Sequence, residues 1–444
     1  MNPFLRRYIY LFILILIFFY FIIFGNWIIS LTSSDEGKNA FVVLNMLKTK
    51  NYLVPYYNCE VRFEKPPMLY WIGLINSKIF GLNEFSLRLV SGLSAIGVII
   101  FSYLIIKKFF TDSFALKCIL ILLSFPHVWI EARSFVPEML LNFFSVGGIY
   151  FFLANKPFLG WLFWGFGVLT KGPVGLILPF TVILFFKLTK RELKIFDIKG
   201  LLIFFLVGGS WYLYMIYKFG YLYFYKFFLK ENIFRYTGKK LTHPYPFYYY
   251  FIVLILTSFF YLPAYYKIFA ELKKNLLNIK NNYQSYIENP LFPFVLWFLF
   301  VLIFYSLSKN KLHHYILFTY PPLTVILAKF ISEKYIKRIV FISGILLLIL
   351  IMGSGYYEKK RFLPKAKNLL KEYKGEIYFY KVELSALPFY LNKCIPKLSN
   401  PKKLRQGIVI TLKKYEKSFK DCNKLLEANE FGRKCLILKC KGNL

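Results

Sequence analysis

The chain has 444 residues, 57% hydrophobic and 21% aromatic, with a mean hydropathy of +0.50 and a formal net charge of +36. That composition excludes an ordinary soluble enzyme. Apolar runs of about 20 residues recur along the first four-fifths, the pattern of a polytopic helical membrane protein. The positive excess suits loops that touch anionic headgroups and phosphorylated lipids. Nucleic acid is not an expected partner, because no folded basic module stands apart from the apolar part.

The first apolar run, Tyr8 to Leu31, is too long for the core of a removable signal peptide, and no small-residue cleavage site follows it. Further spans are expected over 87–106, 114–131, 137–154, 158–170, 172–187, 200–217, 246–266, 290–307, 313–331 and 337–355. The count is about eleven, or thirteen at its upper bound. Lys and Arg gather in alternate loops: Arg6-Arg7, Lys107-Lys108, the run from Lys187 to Lys199, Lys267 to Lys280, and Lys334 to Arg338. The positive-inside rule makes that side cytoplasmic. The 32–86 loop, the 218–245 loop and the tail then face outward.

The 32–86 loop carries the densest chemistry. It opens S-S-D-E-G-K-N-A, where Ser33-Ser34 ahead of Asp35 and Glu36 make a helix N-terminus. Apolar residues at 40, 43, 44 and 47 extend it as an amphipathic helix. Adjacent carboxylates cannot share one point on a helix, so one of the pair acts while the other caps or pairs. Lys38 lies three residues after Asp35, on the same face. Farther on stands V-R-F-E-K-P-P. Arg62 and Lys65 are cations suited to a phosphate, and Pro66-Pro67 restrict the backbone after Lys65. A second amphipathic helix follows, and both are expected to lie at the membrane surface.

Beyond the loop, Arg133 and Glu138 flank an outer turn in E-A-R-S-F-V-P-E-M-L-L, and Lys171 stands in L-T-K-G-P. His243 lies in T-H-P-Y-P-F-Y-Y-Y. Lys309, Lys311, His313, His314 and Tyr315 form S-K-N-K-L-H-H-Y-I-L, too charged to face lipid. After residue 356 the pattern changes to a small α/β domain. Strands are expected at 376–381, 407–412 and 435–439, and helices at 384–392 and 415–429. The domains are therefore 1–356 in the membrane and 357–444 outside it. Six cysteines include no CxxC, so a zinc cluster is not indicated; an outward-facing tail permits a disulfide among Cys394, Cys422, Cys435 and Cys440.

The ordered set D-E-G-K-N-A, F-E-K-P-P-M-L-Y-W, N-E-F-S-L-R-L, A-R-S-F-V-P-E-M-L-L, L-T-K-G-P, E-N-I-F-R-Y-T-G, H-P-Y-P-F-Y-Y-Y and S-K-N-K-L-H-H-Y-I-L-F-T-Y-P-P covers nearly all of the membrane part. It resembles the GT-C class of lipid-phosphate-sugar glycosyltransferases. Within that class it is similar to the bacterial undecaprenyl-phosphate aminoarabinose transferases of lipid A and the protein mannosyltransferase-like family. The resemblance implies a GT-C fold, an active site outside the cytoplasmic (inner) membrane, a polyprenyl-phosphate-linked sugar donor and an inverting displacement. The acceptor is a glycolipid such as lipid A, or a protein hydroxyl.

The resemblance makes Asp35, with Glu36 beside it, the catalytic position. Lys38 and Lys65 would hold the donor phosphate, with Lys38 where an Arg is common. Arg62, Arg133, Glu138, Lys311 and Tyr315 complete the expected substrate-binding set, Glu138 standing where an Asp is common. Glu64 and His243 match positions that could together hold a divalent metal, zinc or magnesium. His313 stands where the family often has Pro. The competing class, a flippase of lipid-linked saccharide, would usually show inverted repeats with broken helices near the bilayer midplane. No repeat is visible, and the charges cluster at one surface.

Overall fold

The computed structural model describes residues 12–190, 192–276, 287–401, 404 and 406–440. Two compact units emerge. One comprises residues up to 24, 63–69 and 89–347; the other comprises 25–62, 70–88 and 348–444.

The first unit is helical. Its part of the first apolar run is a helix over Phe12–Ile23; the start of the expected 8–31 span lies outside the described residues. Helix α3 (Glu84–Ile106) enters it; α1 and α2 belong to the loop before and are given below. There follow α4 (Asp112–Leu123), α5 (Pro126–Ala132), α6 (Pro137–Leu153), α7 (Pro157–Lys171), α8 (Val174–Thr189) and α9 (Ile198–Phe219). Proline recurs at the first helical turn, where its missing N–H costs nothing: Pro126, Pro137 and Pro157 each open a helix. A π-helical stretch, Tyr225–Ile233, precedes α10 (Tyr249–Thr257), α11 (Leu262–Leu276), α12 (Phe292–Leu307), α13 (Tyr320–Ala328) and α14 (Glu333–Lys360).

Among the described residues, α3, α9 and α14 are each long and apolar enough to cross a membrane. The expected spans 114–131 and 246–266 are broken. The first bends by 70° between α4 and α5, and the second by 81° after α10. The expected span 313–331 begins as a 3-10 segment, His313–Thr319, before α13. The exterior of this unit is apolar, with Leu202, Phe205, Leu206 and Leu213 of α9 all exposed. The chain is a multi-pass membrane protein.

The second unit contains α1 (Ser34–Thr49), the hairpin β1 (Tyr56–Tyr57) and β2 (Glu60–Val61), and most of α2 (Met68–Phe80). It also holds α15 (Phe362–Leu370), β3 (Ile377–Phe379), α16 (Leu387–Leu391), β4 (Gly407–Leu412), β5 (Cys422–Glu430) and β6 (Arg433–Cys440). Helix α1 buries more than the expected stripe: Phe41, Val42 and Met46 are enclosed as well as Ala40 and Val43.

The four-stranded sheet has the order β3-β4-β6-β5, with β3 parallel to β4 and the other pairs antiparallel. The helix expected over 415–429 is therefore corrected. Lys413–Ser418 is a 3-10 turn, and Cys422–Glu430 is the edge strand β5. Its partner is set by a two-residue turn in which Phe431 (φ 47°) and Gly432 (φ 79°) are both left-handed, the geometry that suits a tight hairpin. Cys422 faces Cys440 in that pair and is bonded to it. A second disulfide joins Cys59 at the β1–β2 turn to Cys394. Asn58 beside it both donates to the Ile395 carbonyl (2.8 Å) and accepts from the Ile395 amide (2.7 Å).

Candidate active site

In the second unit the site is built on the N-terminus of α1. Ser33 caps the helix, its Oγ accepting from the Glu36 amide at 3.0 Å. Asp35 is on the first turn, half-exposed, with Arg62 Nη2 3.8 Å from Oδ1. Arg62 is buried and donates from Nη1 to Asn39 Oδ1 at 2.9 Å. Asp35 and Asn39 are four residues apart on one helix face, so a single guanidinium reaches both. The Arg62 amide is held in turn by the Pro55 carbonyl (2.8 Å), which fixes the hairpin that delivers it.

Glu36 points the other way and is fully buried. Its two oxygens accept from Arg88 Nε (2.6 Å) and Nη2 (3.0 Å), and Oε2 also accepts from the Thr32 amide (2.7 Å). Arg88 spends the rest of its fork on the carbonyls of Asn26 and Ile29. Helix α1 is thereby tied to the segment that leads into it. Lys38 lies over the Tyr57 ring, 5.7 Å from its centre. Tyr57 donates to Glu383 Oε1 at 3.0 Å. Burial alone would push the Glu383 carboxyl up, but the hydrogen bond from Lys397 and the charge of Lys38 hold it below its ordinary value.

In the first unit, residues 63–69 bring Lys65 to a cavity of about 460 Å³. Phe63 anchors the segment edge-on against Phe219, and Lys226 lies over the Phe63 ring. Glu64, Lys65, Lys171, Arg235 and Tyr315 line the cavity together with apolar side chains such as Phe227, Phe304 and Ile177. Lys171 is the last residue of α7. Gly172 ends that helix at φ 78° and Pro173 follows, so the L-T-K-G-P run places Lys171 at a helix C-terminus, where a cation is favoured.

Lys171 Nζ pairs with Glu138 Oε1 at 2.9 Å and lies over the Tyr315 ring at 4.2 Å. Glu138, buried in the first turn of α6, also faces His314 Nε2 at 3.1 Å. Arg235 pairs with Glu231, which Lys240 also reaches.

Other expected site residues brace the structure. Arg133 donates to the carbonyls of Tyr20, Phe21, Phe24 and Trp129, clasping the end of the first helix. Lys311 is buried and donates to the Tyr245 carbonyl at 3.1 Å and to the Ser308 carbonyl. His243 is exposed; its amide donates to Asn310 Oδ1 (3.0 Å) and its carbonyl accepts from the Lys311 amide (3.0 Å). Glu64 lines the cavity and His243 does not. A carboxylate and an imidazole are chemically suited to zinc, but these two alone supply half of a usual set.

Sequence reasoning missed Arg88, Arg235 and the meeting of buried His127 and Glu131 with the exposed His313. The last had a signal: His127 and Glu131 are four apart on one short helix, and so share a face.

Residues 64–214 match the family described as dolichyl-phosphate-mannose-protein mannosyltransferase. An "Uncharacterized protein" of Aquifex aeolicus (strain VF5) is 48% identical over 97% of this chain and 99% of its own length. The undecaprenyl phosphate-alpha-4-amino-4-deoxy-L-arabinose arabinosyl transferase of Wigglesworthia glossinidia brevipalpis is 32% identical over 81% of this chain. That of Shewanella sediminis (strain HAW-EB3) is 30% identical over 69%. The chain spans 66% and 57% of those two proteins' own lengths. The crystal structure of ArnT from Cupriavidus metallidurans bound to undecaprenyl phosphate superposes with a TM-score of 0.76. It covers 96% of this chain and 98% of that one at 16% identity, and so shares the fold. The chain has the fold of that structure and is similar in sequence to the undecaprenyl-phosphate aminoarabinose transferases, with the mannosyltransferase family matched over residues 64–214.

Proposed function

We propose that the protein transfers a sugar from a polyprenyl phosphate to an envelope acceptor at the outer face of the cytoplasmic membrane, by inverting displacement. The observation that carries this reading is the cavity: Lys65, Lys171 and Arg235 converge on a pocket that also holds Glu64 and Glu231 and whose remaining walls are largely apolar and aromatic, among them Ile177, Phe227 and Phe304. A cationic mouth with greasy walls suits a phosphate on a hydrocarbon chain. Two of the relatives named above are undecaprenyl phosphate aminoarabinose transferases, which supports a donor of that class.

The phosphate of such a donor is already a good leaving group. The reaction needs cations where negative charge develops, and Lys65 and Lys171 supply them. It also needs a base for the acceptor hydroxyl. Asp35, the half-exposed acid of its pair, takes that part. Arg62 orients Asp35 through the contact with Asn39, and Lys38 adds positive charge on the same helix. Glu138 holds Lys171, which in turn lies over the Tyr315 ring. Glu36, Arg133 and Lys311 serve by bracing the elements that carry the others. A divalent ion, zinc or magnesium, at Glu64 and His243 belongs to the same proposal; none of these steps depends on it.

Eleven crossings with the 357–444 domain outside complete the proposal. Two disulfides in the unit that includes this domain support an oxidising compartment. A C-terminal reporter active only in the cytoplasm would sink that topology. The acceptor is lipid A or a similar glycolipid, following the aminoarabinose transferases. Protein O-glycosylation is the second reading, favoured by the family description matched over 64–214. Mass spectrometry of envelope lipids and of secreted proteins, with and without the gene, decides. A mass increment on the lipid supports the first reading, one on proteins the second. No change in either fraction refutes transfer to an envelope acceptor.

A further inference from the structure

The helical unit encloses a second group of chemistry-bearing side chains, from α5 and from the 3-10 segment ahead of α13. Glu131 is 2% exposed and His127 3% exposed. Glu131 Oε1 stands 3.6 Å from His127 Nε2, 3.5 Å from His313 Nδ1 and 3.9 Å from His314 Nδ1. Its other oxygen, Oε2, is buried and accepts no hydrogen bond. A carboxylate taken out of water with an unused oxygen is costly unless something cationic meets it.

The imidazoles are oriented for a ligand. His127 Nδ1 lies 2.5 Å from the Tyr320 hydroxyl, and that hydroxyl donates onward to Thr257 Oγ1 at 3.0 Å. The Tyr320 proton is thus committed, so its oxygen accepts from His127 Nδ1–H. In the neutral ring the lone pair must then be on Nε2, which faces Glu131 and His313. A hydroxyl that sets the tautomer of a ligating histidine is the usual outer partner of a metal site.

Spacing agrees. Tetrahedral ligands at about 2.0–2.1 Å from an ion stand roughly 3.3 Å from one another. Two of the three separations are 3.5 and 3.6 Å, and the ligand atoms all lie within 4.8 Å. The third, His127 Nε2 to His313 Nδ1, is 2.9 Å, a hydrogen bond that would open as His313 gives up its Nδ1 proton. The His313 side chain is 51% exposed, so an ion has a way in.

We propose that His127, Glu131 and His313 form a site for one divalent transition-metal ion of the zinc class. Two imidazoles and a carboxylate suit such an ion, with water or His314 in the fourth position. The site is separate from Glu64 and His243. It also touches the transferase cavity indirectly, because His314 stands between Glu131 and Glu138, and Glu138 holds Lys171. A bound ion would replace the His127–His313 hydrogen bond and fix this wall.

The test uses full-length protein in detergent, stripped with chelator and titrated with Co²⁺ and Zn²⁺. Metal content is read by elemental analysis, and Co²⁺ by its visible absorption. About one ion per chain is expected at this site, marked by tetrahedral-type Co²⁺ bands that Zn²⁺ displaces and that are counted apart from any ion at Glu64 and His243. His313→Ala, at a half-exposed position, should weaken binding by at least about tenfold, and Glu131→Gln likewise. Glu64→Gln and His243→Ala should keep the tetrahedral-type Co²⁺ bands of this site, whatever ion they lose at the Glu64–His243 position. No stoichiometric ion in the parent would mean that protons alone hold the cluster, and would overturn the proposal. So would undiminished binding in His313→Ala, or loss confined to His243→Ala.

Discussion

Gly37 lies against Ala386 so closely that a Cβ on Gly37 would stand 2.4 Å from the Ala386 amide nitrogen. The neighbour is backbone and cannot rotate aside. The glycine of D-E-G-K therefore serves packing. Ser34 Oγ and Ser385 Oγ share a hydrogen bond at 3.0 Å across the same seam. Gly37→Ala should destabilise this unit by about 1–3 kcal/mol through overpacking. Thermal unfolding in detergent checks it; an unchanged midpoint would show that the 384–386 turn yields freely.

Asp35→Asn keeps the shape of the side chain and removes the proposed base. Turnover should fall by about 10²–10⁴-fold with donor affinity retained. The unfolding midpoint should hardly move, because Asp35 is half-exposed and its pair with Arg62 is long. Turnover near the parent's would leave Asp35 as a first-turn acid that only complements the helix dipole.

The helical character of the first four-fifths and the helices around D-E-x-K and after K-P-P were legible, because caps and apolar periodicity are local. What was not legible depended on long-range pairing. Residues 422–430 read as a helix since Leu425, Leu426 and Ala428 suit one; the antiparallel partner across Phe431-Gly432 overrides that propensity. The partner of Cys394 was not legible, because Cys59 is 335 positions away. Asp35 and Glu36 were seen as a pair of which one acts, but Arg88, the partner that commits Glu36, is 52 positions on. His127 and Glu131 were passed over, and His313 was seen only as part of the 309–315 cluster, since tertiary contact alone brings it to the other two.

Glu36 and Arg88 are each about 1% exposed in their side chains and bonded through both carboxylate oxygens. Breaking such a pair leaves a buried charge without its counterpart. Glu36→Ala should cost about 3–5 kcal/mol and lower the yield of folded protein. Glu36→Gln should cost less, because its amide oxygen still accepts from Arg88. Equal stability of parent and both variants would contradict a bracing role.

The Cys59–Cys394 bond closes a loop across 335 positions, beside the two hydrogen bonds of Asn58 to Ile395. Removing it by Cys59→Ser with Cys394→Ser should destabilise the unit by about 2–4 kcal/mol. Differential alkylation and peptide mass spectrometry should find these two cysteines linked in protein from the envelope, with Cys118 and Cys435 as thiols. Free Cys59 in the native protein would overturn both the pairing and the oxidising compartment proposed for this unit.

Lys65 and Lys171 both reach the cavity, but they are not equivalent. Lys171 is matched by Glu138 at 2.9 Å and stacks on Tyr315, so part of its charge is already answered. Lys65 follows Glu64 on a segment stiffened by Pro66-Pro67 and anchored by Phe63. A charge-assisted hydrogen bond to phosphate is worth about 1.5–3 kcal/mol. Lys65→Ala should therefore weaken binding of a polyprenyl phosphate by roughly 10–150-fold, and Lys65→Arg should restore most of it. Lys171→Ala should also lower thermal stability, since it strands the buried Glu138 carboxylate. Equilibrium binding of undecaprenyl phosphate to the purified variants, read beside their unfolding midpoints, separates the two. If Lys65→Ala binds as the parent does while Lys171→Ala does not, the phosphate sits at the end of α7, and the K-P-P segment is only its wall.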